Sequence, residues 1–287
     1  MAGRRIVVGA KHPVLSGGPL LIAHRGGAAL APENTLVAFR QAIDDWGADM
    51  VELDVRASAD GRCMVIHDPT VDRTTDGTGA VEAMTYDELR RLDAGYRFTP
   101  DGGRSFPFRG RGIRIPTIEE VLEALPTIPL TVEVKVAAAA RPLFEAIERV
   151  GAAGRIVAAA EEDRCRALFG SYPGPLSASR SQMLRFFLLH HARLSAFWQP
   201  AVDAVQIPER WRGRQLLTPR LVRDFHARGF AVHVWTVNEV DDMERLLEWG
   251  VDGLVTDYPD RLADLLAARW GRAPAPARRR GASLPVE

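Results

Sequence analysis

Apolar runs of strand length recur along the chain at 20–23, 49–55, 62–66, 129–136, 154–159, 175–179, 203–207, 230–237 and 252–257. Amphipathic segments of helical period lie between most of them. Their start signals are local. Asn34 precedes a helix over about 35–46, the Thr117/Glu120 capping box precedes 118–125, Thr218-Pro219 opens 219–228, Asn238 opens 239–249, and a last helix covers 259–269. Strand followed by helix, repeated roughly eight times, predicts parallel strands joined by crossover helices. A closed eightfold barrel and an open doubly wound sheet both satisfy that order. The open sheet would carry a Gly-x-Gly-x-x-Gly turn after its first strand, whereas Gly26-Gly27 follows His24-Arg25 without that spacing. The expected class is therefore α/β, a TIM (β/α)8 barrel.

Two regions depart from the alternation. From 69 to 115 the chain is rich in Gly, Asp, Thr and Arg, with one short helix expected near Thr85–Leu92 behind a Thr85/Glu88 capping box. It reads as a small subdomain inserted after the second strand. From Gly271 onward, GRAPAPARRRGASLPVE has almost no apolar periodicity and is expected to be a disordered tail. The division is then an N-terminal extension over 1–19, a barrel over 20–270 with its insertion at 69–115, and a tail over 271–287.

Composition narrows the partners more than the fold. A length of 287 residues suits one α/β barrel with extensions, and 37 basic against 37 acidic side chains give no electrostatic footprint for nucleic acid. Cys63 and Cys165 are too few for a disulfide framework and read as small buried apolar residues. The N-terminus lacks an apolar signal-peptide core, since Gly9, Lys11, His12 and Pro13 interrupt it, so the expected location is cytoplasmic. Lysine occurs only at positions 11 and 135, and every other cation is arginine.

The chemistry lies in charges that break two of the strands. Side chains alternate along a strand. In VELDV, Val51, Leu53 and Val55 therefore face the helices while Glu52 and Asp54 point into the barrel; in VEVKV, Glu133 and Lys135 point inward; in FAVHVWTV, His233 and Trp235 do so. The interior at the C-terminal end of barrel strands is where side chains meet ligands. Three carboxylates there would repel one another and resist ionisation unless a cation relieves them. An all-oxygen set of Glu52, Asp54 and Glu133 suits a hard divalent ion, Mg²⁺ or Ca²⁺. The alternative is an internal ion-pair network in which Lys135 and nearby arginines neutralise the acids. His24 and His67 each end a strand on the same side of the barrel, placed for proton transfer near neutral pH.

The segments AHRGGAALAPENTLVAF, GADMVELDVRASADGRCMVIHDPTVDRTTDGTG, IPTIEEVL, VEVK, VWTVN and GVDGLVTDYP resemble, in order and spacing, the motifs of the glycerophosphodiester phosphodiesterase family. The likeness runs from about 20 to 268 and is densest over the first 135 residues. It implies a TIM barrel with a small inserted subdomain, a divalent ion on Glu52, Asp54 and Glu133, and His24 and His67 as an acid–base pair. It further implies phosphate contacts from Arg25 and Lys135, an apolar wall from Trp235, bracing by Glu33 and Asn34, and a role for Asp257 at the end of the last strand. The implied reaction is hydrolysis of a small glycerophosphodiester to glycerol 3-phosphate and an alcohol. Two other readings follow. Residues 182–198, QMLRFFLLHHARLSAFW, form either an ordinary barrel helix or an exposed membrane contact of a lysophospholipase D-type enzyme acting on lipid phosphodiesters. A non-catalytic binder of phosphorylated polyols would hold the ligand without turnover.

Overall fold

The computed structural model describes residues 11–279. Its parallel strands are β1 (Leu20–His24), β2 (Met50–Ala57), β4 (Leu130–Val134), β5 (Ile156–Ala159), β6 (Ala204–Pro208), β9 (Ala231–Trp235) and β10 (Gly253–Thr256), hydrogen-bonded in the order β5-β4-β2-β1-β10-β9-β6. The ring closes between β5 and β6 through a segment with no regular strand. There Leu176 bridges Ala158 and Ser177 bridges Ala204, each in parallel sense. The run expected at 175–179 thus occupies a strand position, held by a few bonds such as Ala178 N to Ala204 O at 2.9 Å.

The run at 62–66 departs from expectation. Residues Cys63–Val65 form β3, which pairs antiparallel with β2 and lies outside the parallel ring. A short apolar run carries no sign of its direction, and the tight turn after Ala57 folds it back as a hairpin. Beyond β3 the chain builds a satellite core of Met64, Ile66, Val71, Val81, Leu89, Ala94, Ile113 and Ile115, over which α2 (Tyr86–Leu89) is closed by its Thr85/Glu88 capping box. The chain returns through α3 (Ile118–Ala124), capped by Thr117 and Glu120.

Outer helices complete the layers: α1 (Leu36–Asp44), α4 (Ala137–Arg149), α5 (Arg180–His191), α6 (Pro219–His226), α7 (Val240–Glu248) and α8 (Pro259–Arg269). They bury the outward strand residues Val51, Leu53, Val55, Val132, Val134, Val205, Val232 and Val234 in one continuous core. A small exposed hairpin, β7 (Arg210–Trp211) with β8 (Arg214–Gln215), follows β6. None of the described helices is long and apolar enough to cross a membrane. Both cysteines are buried and free.

Inward residues form a second, separate core at the N-terminal end of the ring: Leu20, Ile22, Met50, Val157, Ala204, Ala231 and Val255, plugged from below by Leu15. Residues 11–19 thus seal the barrel floor, and Lys11 is pinned to Asp252, which also accepts from Val232 N at 2.8 Å and contacts His226. Packing apolar side chains below leaves the charged inward positions to the upper end. The expectation of a disordered tail fails for 271–279. Arg272 holds Asp49 in a two-pronged ion pair at 2.6 and 2.8 Å, and α9 (Pro276–Arg279) buries Ala277, which donates its N–H to Asp45 O. Two guanidinium forks, Arg272 on Asp49 and Arg278 on Asp264, anchor a segment that has no helical stripe of its own. Residues 1–10 of the expected extension and 280–287 of the tail lie outside the described residues.

Candidate active site

The register between strands brings the acids together. Asp54 and Glu133 are direct cross-strand partners of β2 and β4, and Glu52 pairs with His24 across β1 and β2. Period-two alternation turns all four inward. One ligand atom each from Glu52, Asp54 and Glu133 lies within 4.8 Å of the others, so the three form a group able to hold one metal ion.

The first loop wraps this cluster. Gly26 and Gly27 have φ of 86° and 90°, and a Cβ at Gly26 would meet Phe39 Cδ1 at 2.7 Å. Only glycine lets the loop pass between strand and helix there. Arg25 and Asn34 also adopt left-handed backbone, with φ of 51° and 57°. Hydrogen bonds offset that conformational cost: Arg25 N donates to Glu52 Oε2 at 3.0 Å, and Asn34 Nδ2 donates to Asp54 Oδ2 at 3.0 Å. Asn34 does not cap α1, as its position suggested. Thr35 does so by accepting from Ala38 N, which frees the amide for Asp54.

Each histidine has one ring nitrogen fixed by a carboxylate. His24 Nδ1 is 2.6 Å from Asp257 Oδ1, and His67 Nδ1 is 2.7 Å from Asp68 Oδ1. That fixes ring orientation and leaves Nε2 of each outside the carboxylate bond. Asp257 is itself held by Asn238, whose Nδ2 donates to Asp257 Oδ2 at 2.8 Å and whose Oδ1 accepts from Asp257 N. Asn238 was expected to cap α7; the residue at that cap is Glu239, with no side-chain bond.

The cations sit among the acids. Lys135 Nζ lies 3.0 Å from Asp54 Oδ1 and 2.9 Å from Glu133 Oε2. Arg25 reaches Glu33 at 2.9 Å and Asp54 at 3.2 Å. Arg73, from the inserted segment, grips both Glu33 oxygens at 2.6 and 2.7 Å and Asp68 Oδ2 at 2.6 Å. Six carboxylates (Glu33, Glu52, Asp54, Asp68, Glu133, Asp257) thus share four permanent cations (Arg25, Arg56, Arg73, Lys135). Burial, reinforced by the Asp54 charge, pushes the Glu52 carboxyl up to about 7. Burial also pushes Asp54 upward, but Lys135 and Arg25 outweigh it and hold that carboxyl below its ordinary value. Burial alone would lower His24; its bond to Asp257 and the Glu52 charge raise it overall. The ion-pair network is therefore real but incomplete, and the unneutralised Glu52 is where a hard divalent ion fits the donor set.

Trp235 lines the same cavity at 39 % exposure. His233 does not belong to the site. It is fully buried below it, neither ring nitrogen has a hydrogen-bond partner among the described residues, and burial pushes its pKa down to about 4. Sequence reasoning missed Arg73, Asn238 and Arg56, whose Nε donates to the His67 carbonyl at 2.7 Å, and gave Asp68 no role. Asp68 directly follows His67, which was a usable signal. Arg73 left none.

A closed parallel β/α barrel whose C-terminal mouth gathers acids, fixed imidazoles and a lysine is a TIM-barrel enzyme site of the acidic, metal-compatible class. The chain belongs to the glycerophosphoryl diester phosphodiesterase family, whose model matches residues 24–261. It is 34% identical over 256 residues to a glycerophosphodiester phosphodiesterase of Caldanaerobacter subterraneus subsp. tengcongensis, covering 86% of this chain and 97% of that one. A Bacillus altitudinis glycerophosphodiester phosphodiesterase is 31% identical over 253 residues, covering 84% and 95%. Among solved structures, the glycerophosphoryl diester phosphodiesterase domain of a Mycobacterium tuberculosis protein superposes with a TM-score of 0.77 at 25% identity, covering 88% of this chain and all of that one.

Proposed function

We propose that this chain hydrolyses glycerophosphodiesters to glycerol 3-phosphate and an alcohol, with His24 and His67 as the acid–base pair. Family membership supports the reaction class. The observation that carries the site assignment is the convergence of Glu52, Asp54 and Glu133, ligand atoms within 4.8 Å, beside two imidazoles each held by its own carboxylate.

Glu52, Asp54 and Glu133 would hold Mg²⁺ or Ca²⁺, which supplies positive charge to the phosphate as it develops negative charge in displacement. Lys135 and Arg25 flank that position and neutralise the remaining phosphodiester charge. One imidazole takes the proton of the attacking oxygen as the new P–O bond forms. The other delivers a proton to the alcohol oxygen as the old P–O bond breaks. Asp257 and Asp68 keep each ring in place through this exchange, and Glu33 with Asn34 keeps Arg25 and Asp54 from swinging away. Trp235 walls the open side.

The test is release of glycerol 3-phosphate from a panel of glycerophosphodiesters with and without a chelator. Turnover abolished by chelation and restored by Mg²⁺ or Ca²⁺ supports the assignment; turnover indifferent to chelation removes the metal from it. Binding of every diester without turnover would make the chain a binder of phosphorylated polyols.

A further inference from the structure

The cavity above the site has two chemically different halves, and the barrel order separates them. His24, Arg25, Glu52, Asp54, Glu133 and Lys135 come from the ends of β1, β2 and β4, which are neighbours in the ring. The opposite arc, from β5 through β6 to β9 and the elements after them, supplies Met183, Leu184, Phe187, Trp211, Leu216 and Trp235. The α5 residues at 180, 183, 184 and 187 all line the cavity, and their spacing of i, i+3, i+4, i+7 defines one helix face. That face packs on the barrel only in part, through Met183 and Phe187. Phe186 is the main anchor of α5, fully buried with its ring centroid 4.6 Å from Phe225 and 4.9 Å from Trp198.

The cavity face of α5 is therefore apolar beyond Arg180, which pairs with Glu161; Met183 and Phe187 lean on the core from it while Leu184 stands open. Leu184 is 63 % exposed and Trp211 50 %. The cavity measures about 610 Å³, within the roughly 300–1,000 Å³ that holds drug-sized ligands and more than glycerol phosphate with a small alcohol fills. A contiguous apolar wall, open to solvent and continuous with a phosphate-binding end, fits a ligand that is charged at one end and apolar at the other.

We propose that this arc is a chain-binding arm, so that the preferred substrates are single-chain amphiphiles: glycerophosphodiesters of the lysophospholipid class, with the phosphate over the acids and the acyl or alkyl tail along α5, Trp211 and Leu216; water then replaces the head-group alcohol at phosphorus, leaving an acylated or alkylated glycerol 3-phosphate. The proposal deepens the phosphodiesterase reading and rests on it for the chemistry, but tail binding is measurable without turnover.

Calorimetric titration with hexyl, octyl and decyl phosphate, each below its critical micelle concentration and with Mg²⁺ present, tests it. Affinity of the wild-type protein is expected to rise about threefold to fourfold per added methylene, as full burial of each group requires. Leu184→Asp and Trp211→Ser, checked for folding by circular dichroism, should flatten that rise to less than about twofold per methylene. A second measurement compares kcat/KM for a lysophospholipid with its deacylated counterpart, and the acylated substrate should be at least about tenfold better. A wild-type affinity that does not grow with chain length overturns the arm, as does binding to vesicles with none to monomeric alkyl phosphates, which would mark a bilayer-docking face instead. Steep chain-length dependence with no turnover of any diester upholds the arm and removes the phosphodiesterase reading. Turnover of the deacylated diester alone, with flat binding, removes only the arm.

Discussion

The two halves of the barrel mouth are built by different rules. The β1–β2–β4 half carries its ionisable side chains on or just beyond continuously paired strands, with Asp54 only 1 % exposed and several acids sharing partners. The β5–β6 half has a four-residue strand, a segment joined by isolated bridges, and a half-exposed aromatic on a two-by-two hairpin. Charge buried at the mouth demands rigid neighbours, because a misplaced partner leaves an uncompensated ion. Apolar contact makes no such demand. Chemistry belongs where the geometry is over-determined, and substrate selection can sit where it is loose.

That contrast can be broken first in the charged half. His24→Ala and His67→Ala are each expected to lower turnover by about 10²–10⁴-fold, while calorimetry still finds the divalent ion bound. Unchanged turnover in both variants would end the acid–base assignment. Glu52→Gln tests the same half through stability. Its carboxyl stands at about 7 in the folded chain against an ordinary 4.5, so the folded state holds a proton that the unfolded state releases. In the metal-free protein this group therefore takes stability away as pH rises from 4.5 to about 7, and the loss is complete above that. Glu52→Gln keeps an acceptor for Arg25 N and should raise metal-free stability at pH 8 by about 1–3 kcal/mol, and by less at pH 5. Thermal melts in chelator at the two pH values read this directly; an equal gap at both would mean that the acid is not strained.

Much of the charged half was legible before any coordinates. A period of two along VELDV and VEVKV puts Glu52, Asp54, Glu133 and Lys135 on the inner face, and the two threonine capping boxes at Thr85 and Thr117 form as read. The misreadings share one cause. Asn34 and Asn238 stand where helix caps stand, yet their amides bind Asp54 and Asp257, about 20 residues away in sequence, and no local pattern reveals a distant partner. The direction of β3, the guanidinium forks that anchor 271–279, and α4, which runs through Pro142 on the strength of buried Ala139, Leu143, Ala146 and Ile147, are likewise decided by distant partners and packing. Of the apolar half, the sequence offers Trp235 as a wall and the segment 182–198 as either an ordinary barrel helix or an exposed membrane contact. Within it Phe186 is core, and Leu184 and Leu188 are exposed.

Arg73 measures how far the rigidity of the charged half extends into the inserted segment. It ties Asp68, and through it His67, to Glu33 and Arg25 in the first loop. It touches neither ring, so the role expected of it is to position. Arg73→Gln is expected to lower kcat about tenfold with KM and divalent-ion affinity little changed, and Arg73→Lys should recover part of the loss. An effect confined to thermal stability would make it a structural clamp only.

The smallest effect belongs to the apolar half, where the comparison is sharpest. Leu184 and Leu188 are 63 % and 72 % exposed, so the folded state gains little from keeping them out of water. Serine at either position removes an exposed aliphatic group, leaves no cavity, and unpairs no buried polar atom. Chemical denaturation of Leu184→Ser and Leu188→Ser should therefore stay within about 0.5 kcal/mol of the wild type. A loss well above that would show that the α5 surface is closed against the barrel in solution, and the two halves of the mouth would then differ in charge but not in rigidity.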